Sequence, residues 1–554
     1  MPTYEKTYLK DIVSRELSRA QRSLGDTAGT SAIEIRLSER PEFGDYSTNL
    51  AMIEAKASGR VPRTVAEALT AALAETLSAA EIVKTEVAGP GFVNLFLSPE
   101  CIRSALRSVL ADGGEYGRSP RGKGVRLQVE FVSSNPTGPL TVGHGRQAVL
   151  GDVLAALYER LGYDVQREYY FNDEGRQVDL LAESLWIRYR ELFGESHEIP
   201  DGGYQGEYLK DLAVEVRSVV GDGYEELNAN TLMIFRAEAV TRISAGIRKD
   251  LVALGIHFDS FFSETTLHRD GKVDAALEDL RAHDAAYDED GAVWLRAEDF
   301  GGAKNSVLIR SDGRPTYMMV DIAYHMDKRD RGFERVIDVQ GADHQVEQTC
   351  VKAALRALGI PETFLRYAVH QFVSLKQGGA VQRMSTRAGR FVTLRDLLDE
   401  VGADVVRYFM ISRKPEAHLE FDLDLAKSQS LDNPATTIQY AHTRIASLFR
   451  KAGVETISAD VNLAPLEARE ELELIKKLDL FPEILETAAI SFAPHLVAEY
   501  ALDVARSFHA YYDRFRVLGE ADDVIAARLA LLAGVRIVLS QSLRVLGMTA
   551  PEEM

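Results

Sequence analysis

The run from Val129 to Arg146 constrains the fold more than any other part of the chain. It reads Val-Glu-Phe-Val-Ser-Ser-Asn-Pro-Thr-Gly-Pro-Leu-Thr-Val-Gly-His-Gly-Arg. A β-rich stretch over 125–132 is cut by Asn135-Pro136-Thr137-Gly138-Pro139, a turn that neither strand nor helix can cross. A helix then starts at Gly143-His144, with Val149, Val153, Leu157 and Leu161 on one face. Strand-like residues 165–170 follow. Strand, helix, strand in this order implies a parallel sheet. The free N–H groups at such a helix start, with the helix dipole behind them, suit a nucleotide phosphate.

The alternation resumes downstream with a strand at 335–339, a helix over 346–358 and a strand over 366–375. A loop rich in glycine and arginine covers 376–390. Thr393 is placed to cap the next helix, with Asp396 three residues on. An acidic, helical, glycine-punctuated insertion occupies about 175–285. Upstream, Leu9, Ile12, Val13 and Leu17 recur at helical spacing, and strand patterns at 82–87 and 92–97 flank Gly89-Pro90-Gly91, which reads as a small α+β domain. From Asn433 onward the pattern is almost entirely helical. The expected divisions are therefore 1–112, 118–390, a connecting helical segment over 391–432, and 433–554.

A chain of 554 residues exceeds one compact core and suggests several units of about 100–200 residues. No apolar run is long enough to span a bilayer, and the opening residues lack the basic-then-apolar order of a secretory leader. Cys101 and Cys350 are the only cysteines, too few for a disulfide framework or a cysteine-ligated zinc site, so a cytoplasmic protein is expected. The net charge of -20 argues against indiscriminate nucleic-acid binding. Two local basic strips remain: Arg103, Arg107, Arg118, Arg121, Lys123 and Arg126, and Arg383, Arg387, Arg390 and Arg395. Taken alone, each reads as solvated surface charge.

No phosphate loop of the form G-x-x-x-x-G-K-S/T is present. Gly117 to Gly124 comes nearest, but it lacks the hydroxyl and precedes its strand. Instead, Thr141-Val142-Gly143-His144 follows a strand, and Arg383-Met384-Ser385-Thr386-Arg387 stands far downstream. The pair resembles the two signature motifs of class I aminoacyl-tRNA synthetases, HIGH and KMSKS. Between them lies Gly341-Ala342-Asp343-His344, just after a strand, like the family's ribose- and adenine-binding segment. Further runs resemble arginyl-tRNA synthetases in particular. These are Phe43 to Asn49, Glu130 to Pro136, Tyr169-Tyr170-x-Asn172-Asp173-x-Gly175, Tyr317-x-x-x-Asp321-Ile322-Ala323-Tyr324, and Asn433-Pro434 with Gln439-Tyr440-Ala441-His442-x-Arg444. The resemblance spans nearly the whole chain.

It implies a multidomain α/β protein: a Rossmann-like parallel-sheet catalytic core, an α+β N-terminal domain that touches tRNA, and an all-α anticodon-binding domain. It further implies ATP-dependent joining of L-arginine to tRNA(Arg) through an arginyl-adenylate, with arginine activation requiring bound tRNA. Magnesium would arrive with ATP, with no protein-ligated metal, and the chain would act as a monomer. His144, Arg383, Ser385 and Arg387 would handle the phosphates. Thr141, Gly143, Gly341, Asp343, His344 and Met384 would complete the ATP site. A guanidinium is a planar fork of donors best met by carboxylates, which points to Glu130 and Asp321, with Tyr317 packing alongside and Ser133 and Asn135 on the α-amino and carboxylate groups. Tyr46 and Asn49 would contact tRNA from the first domain, and Tyr440 and Arg444 from the last.

Two residues depart from the signatures. Thr141 stands where the first histidine is usual, and Thr386 where the second lysine is usual. Each removes a positive charge from the phosphate site, and Arg146 or Arg387 is expected to compensate. The departures keep a non-catalytic tRNA-binding paralogue in play, as well as a class I relative acting on another amino acid.

Overall fold

The computed structural model describes residues 8–25, 34–38, 40–76, 78, 80–173, 175–382 and 392–554. Helix Leu9–Ser23 buries Leu9, Ile12, Val13 and Leu17, the face its periodicity marks out. It packs on helix Pro62–Thr76 against an antiparallel sheet ordered Ile35–Leu37, Tyr46–Thr48, Phe92–Leu97, Ile82–Ala88. Helix Pro99–Asp112 leads out, capped by the Ser98 hydroxyl, which accepts from the Cys101 N–H at 3.0 Å.

That helix lies against two helices near the far end of the chain, Arg469–Asp479 and Asp522–Val545. Arg103 donates to the Leu466 carbonyl, and Arg107 to those of Ala459 and Val461. These two members of the first basic strip thus tie the end domains together. The Leu9 N–H donates to Asp479 Oδ2 at 3.0 Å, and Lys476 reaches Asp45 at 2.6 Å.

Asp479 is buried at this junction, with Asp11 and Glu483 nearby. Burial and those charges push its carboxyl up to about 7. A carboxyl raised above its unfolded value binds its proton more tightly when folded, so stability falls as pH rises from about 4 through 7. Asp479→Asn keeps an oxygen acceptor for Leu9 and removes the charge. It is expected to stabilise the fold by roughly 2 kcal/mol or more at about pH 8 and to do nothing at about pH 4. Thermal melts at the two pH values check this.

The catalytic core is a five-stranded, wholly parallel sheet ordered Leu365–His370, Arg335–Gly341, Arg126–Glu130, Asp164–Phe171, Ser260–Ser263. The signature helix Val142–Arg160 crosses from the central strand to its neighbour. Gly151 is required there, since a Cβ would stand 2.2 Å from the Phe131 ring. The expected insertion holds helices Arg176–Glu191, Tyr208–Val220 and Ala229–Ala253. It ends sooner than its acidic, glycine-punctuated composition suggests, because Ser260–Ser263 rejoins the parallel sheet. A separate antiparallel sheet (Ala286–Glu289, Ala292–Leu295, Ser306–Ile309) follows before the alternation resumes.

The single strand expected over 366–375 is two. The Gln371 N–H turns away to the Pro415 carbonyl, and Val373–Gln377 starts a second sheet beside Ala380–Gln382 and Leu419–Asp422. The segment over 391–432, expected to be helical, therefore also contributes a strand. Thr393 and Asp396 form the reciprocal cap read from the sequence, each side chain accepting the other's N–H at 3.0 Å. The last domain is a bundle of helices Pro434–Ala452, Arg469–Asp479, Phe481–Ile490, His495–Arg514 and Asp522–Val545. No helix among the described residues is long and apolar enough to cross a membrane.

Candidate active site

The central strand ends at Glu130, and the chain then enters a strained turn. Val132 and Ser133 have φ of 67° and 41°. A β-branched residue rarely adopts that region, and each such residue costs about 1–3 kcal/mol. The turn aims Ser133 back at the strand end. Its hydroxyl donates to Glu130 Oε1 at 2.9 Å and accepts the Tyr170 N–H at 3.2 Å. Asn135 donates to Gln177 at 2.9 Å. The turn closes at Leu140, whose carbonyl accepts the Leu394 N–H at 2.8 Å, while Thr141 bridges Thr393. The first signature is thereby bonded to the residues just beyond the second.

Strand register sets three carboxylates side by side: Asp338 and Glu168 flank Glu130 on the two adjacent strands. Neighbouring like charges destabilise a sheet unless cations meet them. Helix Tyr317–Asp330 and the turn after it supply those cations. Arg331 grips Glu168 with two bonds of 2.7 and 2.8 Å, and Tyr324 donates to it at 2.6 Å. Lys328 spans Glu130 at 2.6 Å and Asp338 at 2.9 Å. His325 Nε2 reaches Asp338 at 2.8 Å, and its Nδ1 lies 3.2 Å from Asp321 Oδ1. Burial and Lys328 lower His325, but Asp338 and Asp321 outweigh them and raise it to about 10, so it is a cation.

Exposure separates these carboxylates. Glu168 and Asp338 have 0% and 3% of their side chains exposed and are saturated, whereas Glu130 and Asp321 keep 13% and 24%. The two acids that the sequence singles out for a guanidinium are therefore the two still open to a ligand. Tyr317, one helical turn before Asp321, is exposed at the head of the same helix.

At the signature helix, the Thr141 N–H donates to His144 Nδ1 at 3.0 Å, and the Thr141 hydroxyl lies 3.2 Å from the same nitrogen. Burial, aided by His370, lowers His144 to about 4. The ring is therefore neutral. With Nδ1 accepting, its proton sits on Nε2, which is left as the ring's donor. Thr141 thus serves as the helix cap that fixes this tautomer. A Cβ on Gly143 would meet only the Thr141 hydroxyl, at 3.7 Å, which leaves open space in front of the helix start.

His370, at the end of the outer strand opposite Gly341, is a neighbour that the sequence did not flag. Its Nε2 is buried and has no hydrogen-bond partner among the described residues. Asp343 and His344 lie in the short turn after Gly341, where His344 contacts Glu347 at 3.3 Å. Arg383, Met384, Ser385 and Arg387 fall outside the described residues.

Two expectations need correction. Arg146 does not compensate for Thr141: it is buried, with its guanidinium bonded to the carbonyls of Gln371, Ala417 and Lys414. Tyr46 is fully buried in the N-terminal core, so its ring offers no face to a base. Asn49 remains at the surface, accepting the Glu34 N–H at 3.0 Å. In the last domain, by contrast, Tyr440 is exposed and stacks on His509, with the Arg444 guanidinium 4.3 Å from the Tyr512 ring.

Lys328, Asp338 and His325 were missed in the sequence. A signal was present: Asp321, His325 and Lys328 recur at helical spacing, and Asp338 interrupts Val336-Ile337-Asp338-Val339. Among the described residues, no group of three or more His, Cys, Asp or Glu side chains is placed to hold a metal ion.

Comparisons with known proteins show the family. A family described as arginyl tRNA synthetase N terminal domain matches residues 7–97. The class I (R) tRNA synthetase catalytic domain matches 105–416, and the DALR anticodon binding domain matches 438–554. The arginine–tRNA ligase of Thermotoga maritima is 45% identical over 94% of this chain and 96% of its own length. That of Thioalkalivibrio sulfidiphilus is 41% identical over 99% and 100%. The solved arginyl-tRNA synthetase of Thermus thermophilus, 24% identical, shares the fold over 98% of this chain and 99% of its own, with a TM-score of 0.78. On the strength of these matches, the chain belongs to the arginyl-tRNA synthetases of class I.

Proposed function

We propose that this chain joins L-arginine to tRNA(Arg) in two steps. The arginine carboxylate attacks the α-phosphorus of ATP and expels pyrophosphate. A hydroxyl of the tRNA acceptor end then attacks the resulting adenylate and releases AMP. The observation that carries this reading is that Glu130, at the end of the central strand, and Asp321 keep exposed surface, while the helix that carries the neutral His144 starts beyond the same strand end.

In this reading Glu130 and Asp321 hold the guanidinium, Tyr317 covers its face, and Ser133 and Asn135 hold the other end of the amino acid. The strained turn holds Ser133 against Glu130 with no substrate present, so that part of the orientation need not be achieved at the moment of reaction. His144 Nε2–H bonds the phosphate chain, and the open space at Gly143 admits the adenine. Gly341, Asp343 and His344 line the ribose and adenine side. Arg383, Met384, Ser385 and Arg387 close over the departing pyrophosphate. Magnesium enters with ATP as part of the substrate. The exposed Tyr440, Arg444 and Tyr512 group receives anticodon bases, and Asn49 meets the tRNA from the first domain. The enzyme works as a cytoplasmic monomer. Nothing in the structure or the comparisons favours the non-catalytic reading.

The test is charging of tRNA(Arg) with labelled arginine, lysine or citrulline. Arginine is expected to be preferred by roughly 10⁴-fold, because a buried carboxylate pair left unmatched is costly. Comparable charging with lysine would refute the assignment of Glu130 and Asp321.

A further inference from the structure

Lys328 has no exposed surface, so it touches neither solvent nor substrate. Its helix also buries Met319, Val320, Ile322 and Ala323, beside Tyr324, His325 and Asp327, and an apolar residue at 328 would avoid the desolvation cost of a buried ammonium. The cation is nonetheless present, 2.6 Å from Glu130 and 2.9 Å from Asp338, with its ammonium 4.3 Å from the Tyr324 ring centre. From Glu130 the contacts run through Lys328, Asp338 and His325 to Asp321, alternating in sign at every link. Three acids and two cations leave one net negative charge, which a single guanidinium cancels.

We propose that Lys328 is a positioning residue for arginine selection. It aims the Glu130 carboxylate at the guanidinium and favours its charged form, bracing it against the buried Asp338. This rests on the reading of Glu130 as an arginine ligand. It goes further by assigning the selectivity of that acid to a residue the substrate never meets.

The surroundings explain why Glu130 needs such support. Asp338 flanks it on one side and Glu168 on the other, the latter already taken by Arg331. Tyr170 and Tyr367 stand on the strands nearby, Tyr324, His325 and Asp321 face it from the covering helix, and Glu264 lies beyond Tyr170. Burial and Asp338 push the Glu130 carboxyl up, and although Lys328 and His325 pull it down it still stands at about 7. Without Lys328 the carboxyl rises further, and the proton it holds near neutrality is given up only at higher pH.

The experiment is steady-state aminoacylation by Lys328→Met and by the double variant Lys328→Met/Asp338→Leu, which replaces the buried ion pair with apolar side chains, between about pH 6 and about pH 9. In the single variant the KM for arginine is expected to rise at least about tenfold at neutral pH. Its kcat should stay within about threefold and its KM for ATP should not change. Raising the pH should restore arginine binding, with the midpoint of the KM profile about one unit above that of the unaltered enzyme. The double variant should melt at or near the unaltered temperature and still show the raised KM and shifted midpoint. If arginine KM and its pH profile match the unaltered enzyme in either folded variant, Lys328 has only a structural role and the proposal fails. If the unaltered enzyme does not charge arginine at all, the reading of the site itself fails.

Discussion

Replacing His144 with alanine is expected to lower the rate of arginine activation roughly 10²–10³-fold while leaving the KM for arginine within about twofold. That loss is typical when one fixed donor to developing negative charge is removed. The magnitude rests on how the ring is held. Its Nδ1 is occupied by the Thr141 N–H, so Nε2 must carry the proton, and burial keeps the ring from taking a second one. A lowered pKa of about 4 means that His144 stays a neutral donor throughout the working range. Activation should therefore show no inflection from this histidine above about pH 5, and any acid limb near neutrality belongs to another group. Pyrophosphate exchange measured against pH for the unaltered and His144→Ala enzymes checks both points. An inflection near pH 6.5 that vanishes in His144→Ala would contradict the assigned charge state.

Asp321→Asn is expected to lower kcat/KM for arginine about 10³-fold with little effect on the KM for ATP. The change keeps shape and removes charge. Hydrogen bonds to charged groups contribute about 1.5–3 kcal/mol each, and a guanidinium offers two in parallel to one carboxylate. An amide presents a donor where a second acceptor is needed, so one guanidinium N–H meets an N–H. Asp321 is also the more open of the two acids, and among the described residues no ammonium meets it as Lys328 meets Glu130. The same substitution should narrow the preference for arginine over the uncharged citrulline, since the charge that rewarded the cation is gone. Parallel aminoacylation kinetics with the two amino acids read this directly. A fall in kcat/KM for ATP equal to that for arginine would place Asp321 elsewhere in the reaction.

The sheet, the signature helix and the cap at Thr393 were legible because each rests on local chemistry. A proline-broken strand, a 3.6-residue apolar stripe and a reciprocal Thr–Asp pair need no distant partner. What stayed hidden depended on tertiary contact. The strand after Leu365 breaks at Gln371 because its N–H finds Pro415, more than forty residues on, and no periodicity records that. The insertion was drawn too long because Ser260–Ser263 is a short edge strand whose sole justification is its neighbour. Arg146 looked available for phosphate because arginine at a helix start often is, yet three carbonyls from the second sheet region enclose it. Tyr46 was expected to stack on a base because its domain resembles the tRNA-contacting domain of the family, but period-2 alternation in a three-residue strand turns it inward. Glu130 and Asp321 were singled out from the type of residue a guanidinium requires. The cations that hold them were not, since a buried lysine reads in sequence as an ordinary surface charge.

Arginine-dependent ATP–pyrophosphate exchange, with and without tRNA(Arg), tests the central claim most directly. The account predicts exchange with arginine when tRNA is bound, none when tRNA is omitted, and none with other amino acids. Absence of exchange under both conditions, with tRNA still bound, would contradict it, because the fold would then serve RNA binding without catalysis.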